Sequence, residues 1–132
     1  MGPGAVPGDG AVRPLVVIGD VVLDQDLEGR VERLAADAPV PVVDGFHPAT
    51  RPGGAGLAAC LAARSGQAVF LLTALCDDED GQRLRVLLED AGVEILDLGR
   101  TGRTPEKLRV RAGGQTLLRL DRSEGAGRPG PL

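Results

Sequence analysis

Leu15-Val16-Val17-Ile18-Gly19-Asp20 is an uninterrupted apolar run closed by a glycine and a carboxylate. A run without polar alternation suits a strand covered on both faces, as in a parallel sheet. Val69–Leu75 and Val93–Leu98 repeat the pattern. Between the first two runs, Pro52-Gly53-Gly54 opens Ala55–Arg64, which is almost wholly Ala, Leu and Cys, with Gly66 as a stop. That composition predicts a buried helix. A second helix is expected where Leu84, Leu87, Leu88 and Ala91 recur at i, i+3, i+4 and i+7. The acidic cluster Asp77–Asp80 suits its N-terminus and Gly92 its end. Pro39-Val40-Pro41-Val42-Val43 is extended, and its prolines fit only an edge strand. Lys107–Ala112 and Gln115–Asp121 flank Gly113-Gly114, a two-residue hairpin signal. Strand, edge segment, helix, strand, helix, strand, hairpin predicts an α/β unit with its β-rich pieces set apart as a small lid.

The 132 residues suffice for one modest core and exclude two full domains. With aromatics at 2% and neither Trp nor Tyr, that core must be built from Val, Leu and Ala. A net charge of −4 argues against a nucleic-acid partner, whose phosphates are met by clustered Lys and Arg. No apolar stretch is long enough to span a bilayer and no basic leader opens the chain, so a cytoplasmic location and no membrane partner are expected. Gly and Pro supply 7 of residues 1–14 and 5 of residues 123–132, against 18 of the 108 between. Both ends therefore read as disordered tails around an ordered body at 15–122. Cys60 and Cys76 form neither a disulfide framework nor a metal knuckle and read as buried thiols. His47, the only histidine, reads as a surface residue.

Three places could carry chemistry. Asp20 closes the first strand and Asp24 follows four residues later. Ligands of open α/β sheets bind outside the carboxyl ends of strands, where a carboxylate accepts hydrogen bonds from hydroxyls. The alternative is a turn cap and a solvated carboxylate. Gly53 and Gly54 lead into a helix, so unpaired backbone N–H groups face whatever fills the loop. Gly54-Ala55-Gly56-Leu57-Ala58-Ala59 also fits the G-x-G-x-x-A dinucleotide form, with Asp77 and Asp78 downstream, but Arg51-Pro52 sits where a buried strand should feed the turn. Lys107 and Arg109 share one face of a strand, with Leu108 and Val110 on the other. Two adjacent cations can grip a phosphate, or they can be the solvated face of a hairpin.

In order and spacing, Ile18–Asp24, Ala38-Pro39-Val40-Pro41-Val42-Val43, Arg51-Pro52-Gly53-Gly54, Asp77-Asp78 with Gly81, and Lys107-Leu108-Arg109 followed by Leu118-Arg119-Leu120-Asp121 resemble the PfkB, or ribokinase-type, carbohydrate kinases. The resemblance is strongest to the heptose-phosphate kinase branch and covers 15–122, the N-terminal portion of that family. It implies part of a Rossmann-type α/β/α sandwich with a small β lid, and a sugar or sugar phosphate as partner. ATP and Mg2+ are implied as co-substrate and metal, with the residues that bind them and the catalytic base expected outside this chain. Asp20 and Asp24 then fall at the sugar-facing strand end, Gly53 and Gly54 against the sugar, and Lys107 and Arg109 on or beside the lid. One departure is Leu57, where the family places an asparagine that contacts the sugar. Gly125-Ala126-Gly127-Arg128 does not match the family's catalytic Gly-Ala-Gly-Asp. The expectation is a substrate-binding part that is inactive by itself, prone to self-association through the lid or an open sheet edge. A sugar-phosphate-binding protein without chemistry and a dinucleotide module are the competing readings.

Overall fold

The structure, a computed structural model, describes residues 13–123 and 125–131. In chain order the elements are β1 (Leu15–Ile18), β2 (Val21–Leu34), β3 (Pro41–Gly54), α1 (Ala55–Arg64), β4 (Val69–Thr73), α2 (Glu79–Asp90), β5 (Val93–Asp97), β6 (Arg100–Gly102), β7 (Glu106–Ala112), β8 (Gln115–Arg122) and β9 (Ala126–Pro129). The three apolar runs pair in parallel in the order β1-β4-β5. The lid is a four-stranded sheet in the order β3-β2-β7-β8, and β6 pairs with β9.

Both helices pack on one face of the parallel sheet. Leu71, Leu84 and Leu88 are fully buried there with Ala59, Cys60, Val69 and Val93, and Val17 and Ile95 lean on the cluster. Val21 and Leu23, the first inward residues of β2, belong to the same core and bind the lid to the layer. Asp78 caps α2 by accepting from Gly81 N at 2.8 Å, which satisfies one of the donors that every helix start leaves free. In the lid, β3 is an edge strand, as its prolines require, and the Gly113-Gly114 turn has φ of 57° and 78°, the doubly positive form that suits a two-residue hairpin.

Several expectations are corrected. Asp24 does not stand at the end of the first strand: it lies within β2, Val21–Leu34, whose polar residues hid it, and Arg51-Pro52-Gly53-Gly54 is the end of β3 and not a loop. α1 buries only Gly56, Ala59 and Cys60, leaving Leu57 and Leu61 exposed, because just one face meets the sheet. β1 is not covered on both faces; Val16 and Ile18 are 54% and 71% exposed, since no helix packs on that side. The second run, Val69–Leu75, pairs only as far as Thr73, and Cys76 makes an isolated bridge with Arg100. Within the C-terminal tail, Ala126–Pro129 forms β9, held in part by Arg100 Nε donating to Gly127 O at 2.6 Å. Residues 1–12 of the N-terminal tail lie outside the described residues.

Candidate functional site

Residues in register across a sheet share a face. Asp24 lies opposite Arg51 on β3 and Lys107 on β7, and Lys107 lies opposite Asp121 on β8. One ladder of the lid therefore reads Arg51, Asp24, Lys107, Asp121, alternating in sign from edge to edge. The neighbouring ladder on the same face carries Asp26, Arg109 and Arg119. Leu108, Val110, Leu118 and Leu120 take the other face.

Asp24 is the centre of the charged face and is 9% exposed. Arg109 Nη1 stands 3.7 Å from its Oδ1, and Arg51 Nε stands 4.0 Å from its Oδ2. Arg51 spends its best hydrogen bond elsewhere, donating from Nη1 to Asp26 Oδ2 at 2.7 Å. Asp24 Oδ1, Asp26 Oδ1 and Arg109 Nη1 are buried without a hydrogen-bond partner. A buried polar atom left unpaired costs about 1–3 kcal/mol, and all three lie beneath the solvent-accessible surface of the charged face. Gly53 closes the wall: a Cβ there would stand 2.6 Å from Asp24 Oδ2, so only a bare backbone fits beside the carboxylate. At the rim, Arg119 donates to both oxygens of Asp121 at 2.7 and 2.8 Å and holds that carboxyl below its usual range.

The remaining two expected residues form a second group. Asp20 O accepts from Ala55 N at 3.0 Å, and Gly54, with φ of 59°, turns the chain from β3 into α1 so close that a Cβ would stand 2.7 Å from Asp20 O. The Asp20 side chain is 79% exposed and meets Arg100 Nη1 at 3.7 Å. It borders an apolar recess of about 310 Å³ lined by Ile18, Leu72, Leu98 and Pro129 at the strand ends. The structure thus gathers Asp24, Gly53, Lys107 and Arg109 on the lid face and leaves the Asp20 carboxylate at the layer's edge.

Leu57 lines a recess with Arg51, Pro52, Cys60, Arg64 and Leu87. The dinucleotide form also fails on geometry: the strand entering it, β3, is an antiparallel edge strand, and Gly56 serves packing, since a Cβ would stand 2.9 Å from both Pro52 and Val21. Sequence reasoning missed Arg51 and Asp26 as members of the site. The i, i+2 spacing of Asp24 and Asp26 would have exposed Asp26 had β2 been read as a strand, whereas Arg51 follows only from the β2–β3 register. His47 is exposed, as expected of a surface residue. Cys60 and Cys76 are buried free thiols; burial pushes both up, against Arg64 at Cys60 and with Asp78 at Cys76.

Two further carboxylates tie the frame together. Partial burial pushes Asp78 up, but hydrogen bonds from the Thr104 hydroxyl, the Thr104 N–H and Gly81 N outweigh it and hold the carboxyl below the usual range. At Asp97, burial is likewise outweighed by Leu75 N, Gly99 N and the Arg85 guanidinium. Among the described residues no group of three or more His, Cys, Asp or Glu side chains is placed to hold a metal ion. The charged face does not fit Mg2+ either, because each of its carboxylates has a guanidinium against it. Among the described residues no helix is long and apolar enough to cross a membrane.

A parallel α/β layer joined to a strand lid that carries charged side chains on one face is the architecture of the ribokinase-like sugar kinases, here in part. The pfkB family of carbohydrate kinases matches residues 13–125, and the chain belongs to that family. The bifunctional protein HldE of Streptomyces coelicolor is 49% identical over 124 residues, covering 94% of this chain and 26% of that protein. HldE of Citrifermentans bemidjiense is 40% identical over 114 residues, covering 85% and 23%. The chain therefore spans about a quarter of the length of these relatives. Among solved structures, a carbohydrate kinase from Agrobacterium tumefaciens superposes with a TM-score of 0.66 at 20% identity, covering 83% of this chain and 35% of that one. Phosphofructokinase-2 from Escherichia coli, in complex with substrates and products, gives 0.66 at 18%, covering 86% and 36%. These superpositions establish a ribokinase-like fold.

Proposed function

We propose that this chain is the substrate-binding part of an ATP-dependent carbohydrate kinase acting on a sugar or sugar phosphate, and that it does not transfer phosphate by itself. The observation that carries the reading is the buried trio of unpartnered polar atoms, Asp24 Oδ1, Asp26 Oδ1 and Arg109 Nη1, beside the bare backbone of Gly53. Carboxylates accept from sugar hydroxyls, and a guanidinium and an ammonium on one strand suit a phosphate. Asp24, Gly53, Lys107 and Arg109 would contact the sugar phosphate, with Gly54 shaping the turn beside them and Asp20 at the mouth. ATP and Mg2+ belong to the reaction by family; phosphoryl transfer needs a positioned base and charge stabilisation around the transferring group, and no step is assigned to them on these residues.

Sedoheptulose 7-phosphate and fructose 6-phosphate are suitable probes. A ligand that binds only the folded state raises the melting temperature, so either probe should raise it while mannitol does not. No sugar-dependent ADP should form when ATP and Mg2+ are added. Steady ADP formation from protein free of host kinases contradicts the inactive part of the reading, and no thermal shift with any phosphorylated sugar contradicts the binding part.

A further inference from the structure

Asp78 does more than cap α2. Its Oδ1 accepts from Gly81 N at 2.8 Å and from the Thr104 hydroxyl, and its Oδ2 accepts from Thr104 N at 2.8 Å. Thr104 is 4% exposed and stands three residues before Lys107 and five before Arg109. The next residue, Pro105, offers its carbonyl to Leu23 N at 2.9 Å, beside Asp24 on β2. At the other end the cap is fixed to the layer. Gly81 presses so closely on the segment that follows β4 that a Cβ would stand 1.9 Å from Cys76 O. A chain of short contacts thus runs from the layer through Asp78 and Thr104 to the start of β7.

We propose that Asp78 is a positioning residue that sets the cationic strand β7 against Asp24, through its paired hydrogen bonds to Thr104. The inference rests on the reading of the lid face as a sugar-phosphate site. Two donors from one residue to the two oxygens of one carboxylate fix orientation as well as distance. Without them, the entry of β7 is left to its ladder bonds with β2 and β8, and the register Asp24 to Lys107 and Asp26 to Arg109 loses its anchor on the layer. Cationic contacts, which depend on β7, should then suffer more than hydroxyl contacts, which depend on β2.

The test compares a phosphorylated and an unphosphorylated ligand. In the full chain, Thr104→Val removes the hydroxyl donor and leaves both the N–H and the α2 cap, while Asp78→Asn keeps a cap acceptor and spoils one Thr104 bond. Calorimetry with sedoheptulose 7-phosphate should show affinity falling about tenfold in each variant, and with sedoheptulose less than about twofold. Equal losses for the two ligands, or none, overturn the proposal, because a purely structural cap does not distinguish them. Hydrogen exchange on the ligand-free proteins judges the latch independently of the ligand. Amides of Lys107–Arg109 should exchange about tenfold faster in Thr104→Val while those of β4 and α2 are unchanged. Unchanged β7 exchange, or a uniform rise everywhere, overturns it. Wild-type protein that binds neither ligand sinks the sugar-phosphate reading and leaves the latch to stand or fall on exchange.

Discussion

The two main sheets solve opposite problems. In the parallel sheet β1 and β4 are apolar on both faces, yet helices cover only one, so Leu71 is fully buried while Ile18 is 71% exposed. In β3-β2-β7-β8 one face carries Arg51, Asp24, Asp26, Lys107, Arg109, Arg119 and Asp121, and the other carries Leu108, Val110, Leu118 and Leu120 together with Glu106. The parallel sheet carries the folding energy, because its inner face and two helices hold most of the core. The lid carries ion pairs: Arg51 to Asp26 and Arg119 to Asp121 are hydrogen-bonded, whereas Arg109 stands 3.7 Å from Asp24.

The sharpest way to break this contrast is to truncate one leucine in each sheet's aliphatic surface. Leu84→Ala, in α2 against the parallel sheet and fully buried, should cost about 2–5 kcal/mol in a denaturant titration. Leu118→Ala on the lid, 52% exposed, should change stability by no more than about 0.5 kcal/mol. Equal costs would mean that the lid is as much core as the layer.

A smaller effect sharpens the role of the lid. Asp24→Asn removes the charge that faces Arg109 and Arg51, and binding of sedoheptulose 7-phosphate should weaken by about tenfold, the order expected for one charge-assisted hydrogen bond. Calorimetry showing unchanged affinity would take Asp24 out of the site.

Acid should act on the frame before the aliphatic packing. Asp78 and Asp97 are both held below the usual carboxylate range. The stabilisation they give is full above the unfolded value, near pH 4, and is lost as the pH falls through their lower folded values. Melting temperature should therefore be flat from neutrality to about pH 5 and decline below about pH 4. The decline should be shallower in Asp78→Asn, and a curve identical to wild type would show that the cap is not titrating.

Asp20→Ala should give the smallest change. Its side chain is 79% exposed with one long ion pair, so the melting temperature should move by less than about 4 °C while affinity for the sugar phosphate falls. A large melting loss with affinity unchanged would make Asp20 a structural cap. Light scattering bears on the layer's bare side: Val16, Ile18 and Leu96 are exposed and β1 and β5 are open edges. Self-association that Ile18→Lys abolishes is the expected result.

The layer was legible in the sequence because its signals are local. Continuous apolar runs, the Leu84 to Ala91 stripe and the Gly113-Gly114 turn each report their own conformation within a few residues. β2 was not legible. Val21–Leu34 contains Asp24, Asp26, Glu28, Arg30, Glu32 and Arg33, and a strand is concealed when its partners supply the counter-charges from far along the chain. The same reason limited the site. Asp24, Gly53, Lys107 and Arg109 were singled out from spacing and family motifs, whereas Arg51, Asp26 and the Asp78 to Thr104 connection become visible only with the register. The exposure of β1 follows from the helices lying on one side, which local pattern does not specify.

The parallel pairing of β2 with β7 joins Leu23 to Glu106 across 83 positions of sequence. Contacts so distant must wait for the intervening chain and bear its loop-closure entropy, so they form late. During synthesis the parallel sheet and its helices can assemble once β5 has emerged, while β2 still waits with one edge unpaired. Asp24, Asp26 and Glu28 along that edge discourage it from joining a neighbouring nascent chain. The carboxylates that face cations across the finished ladder thus also guard the unfinished strand.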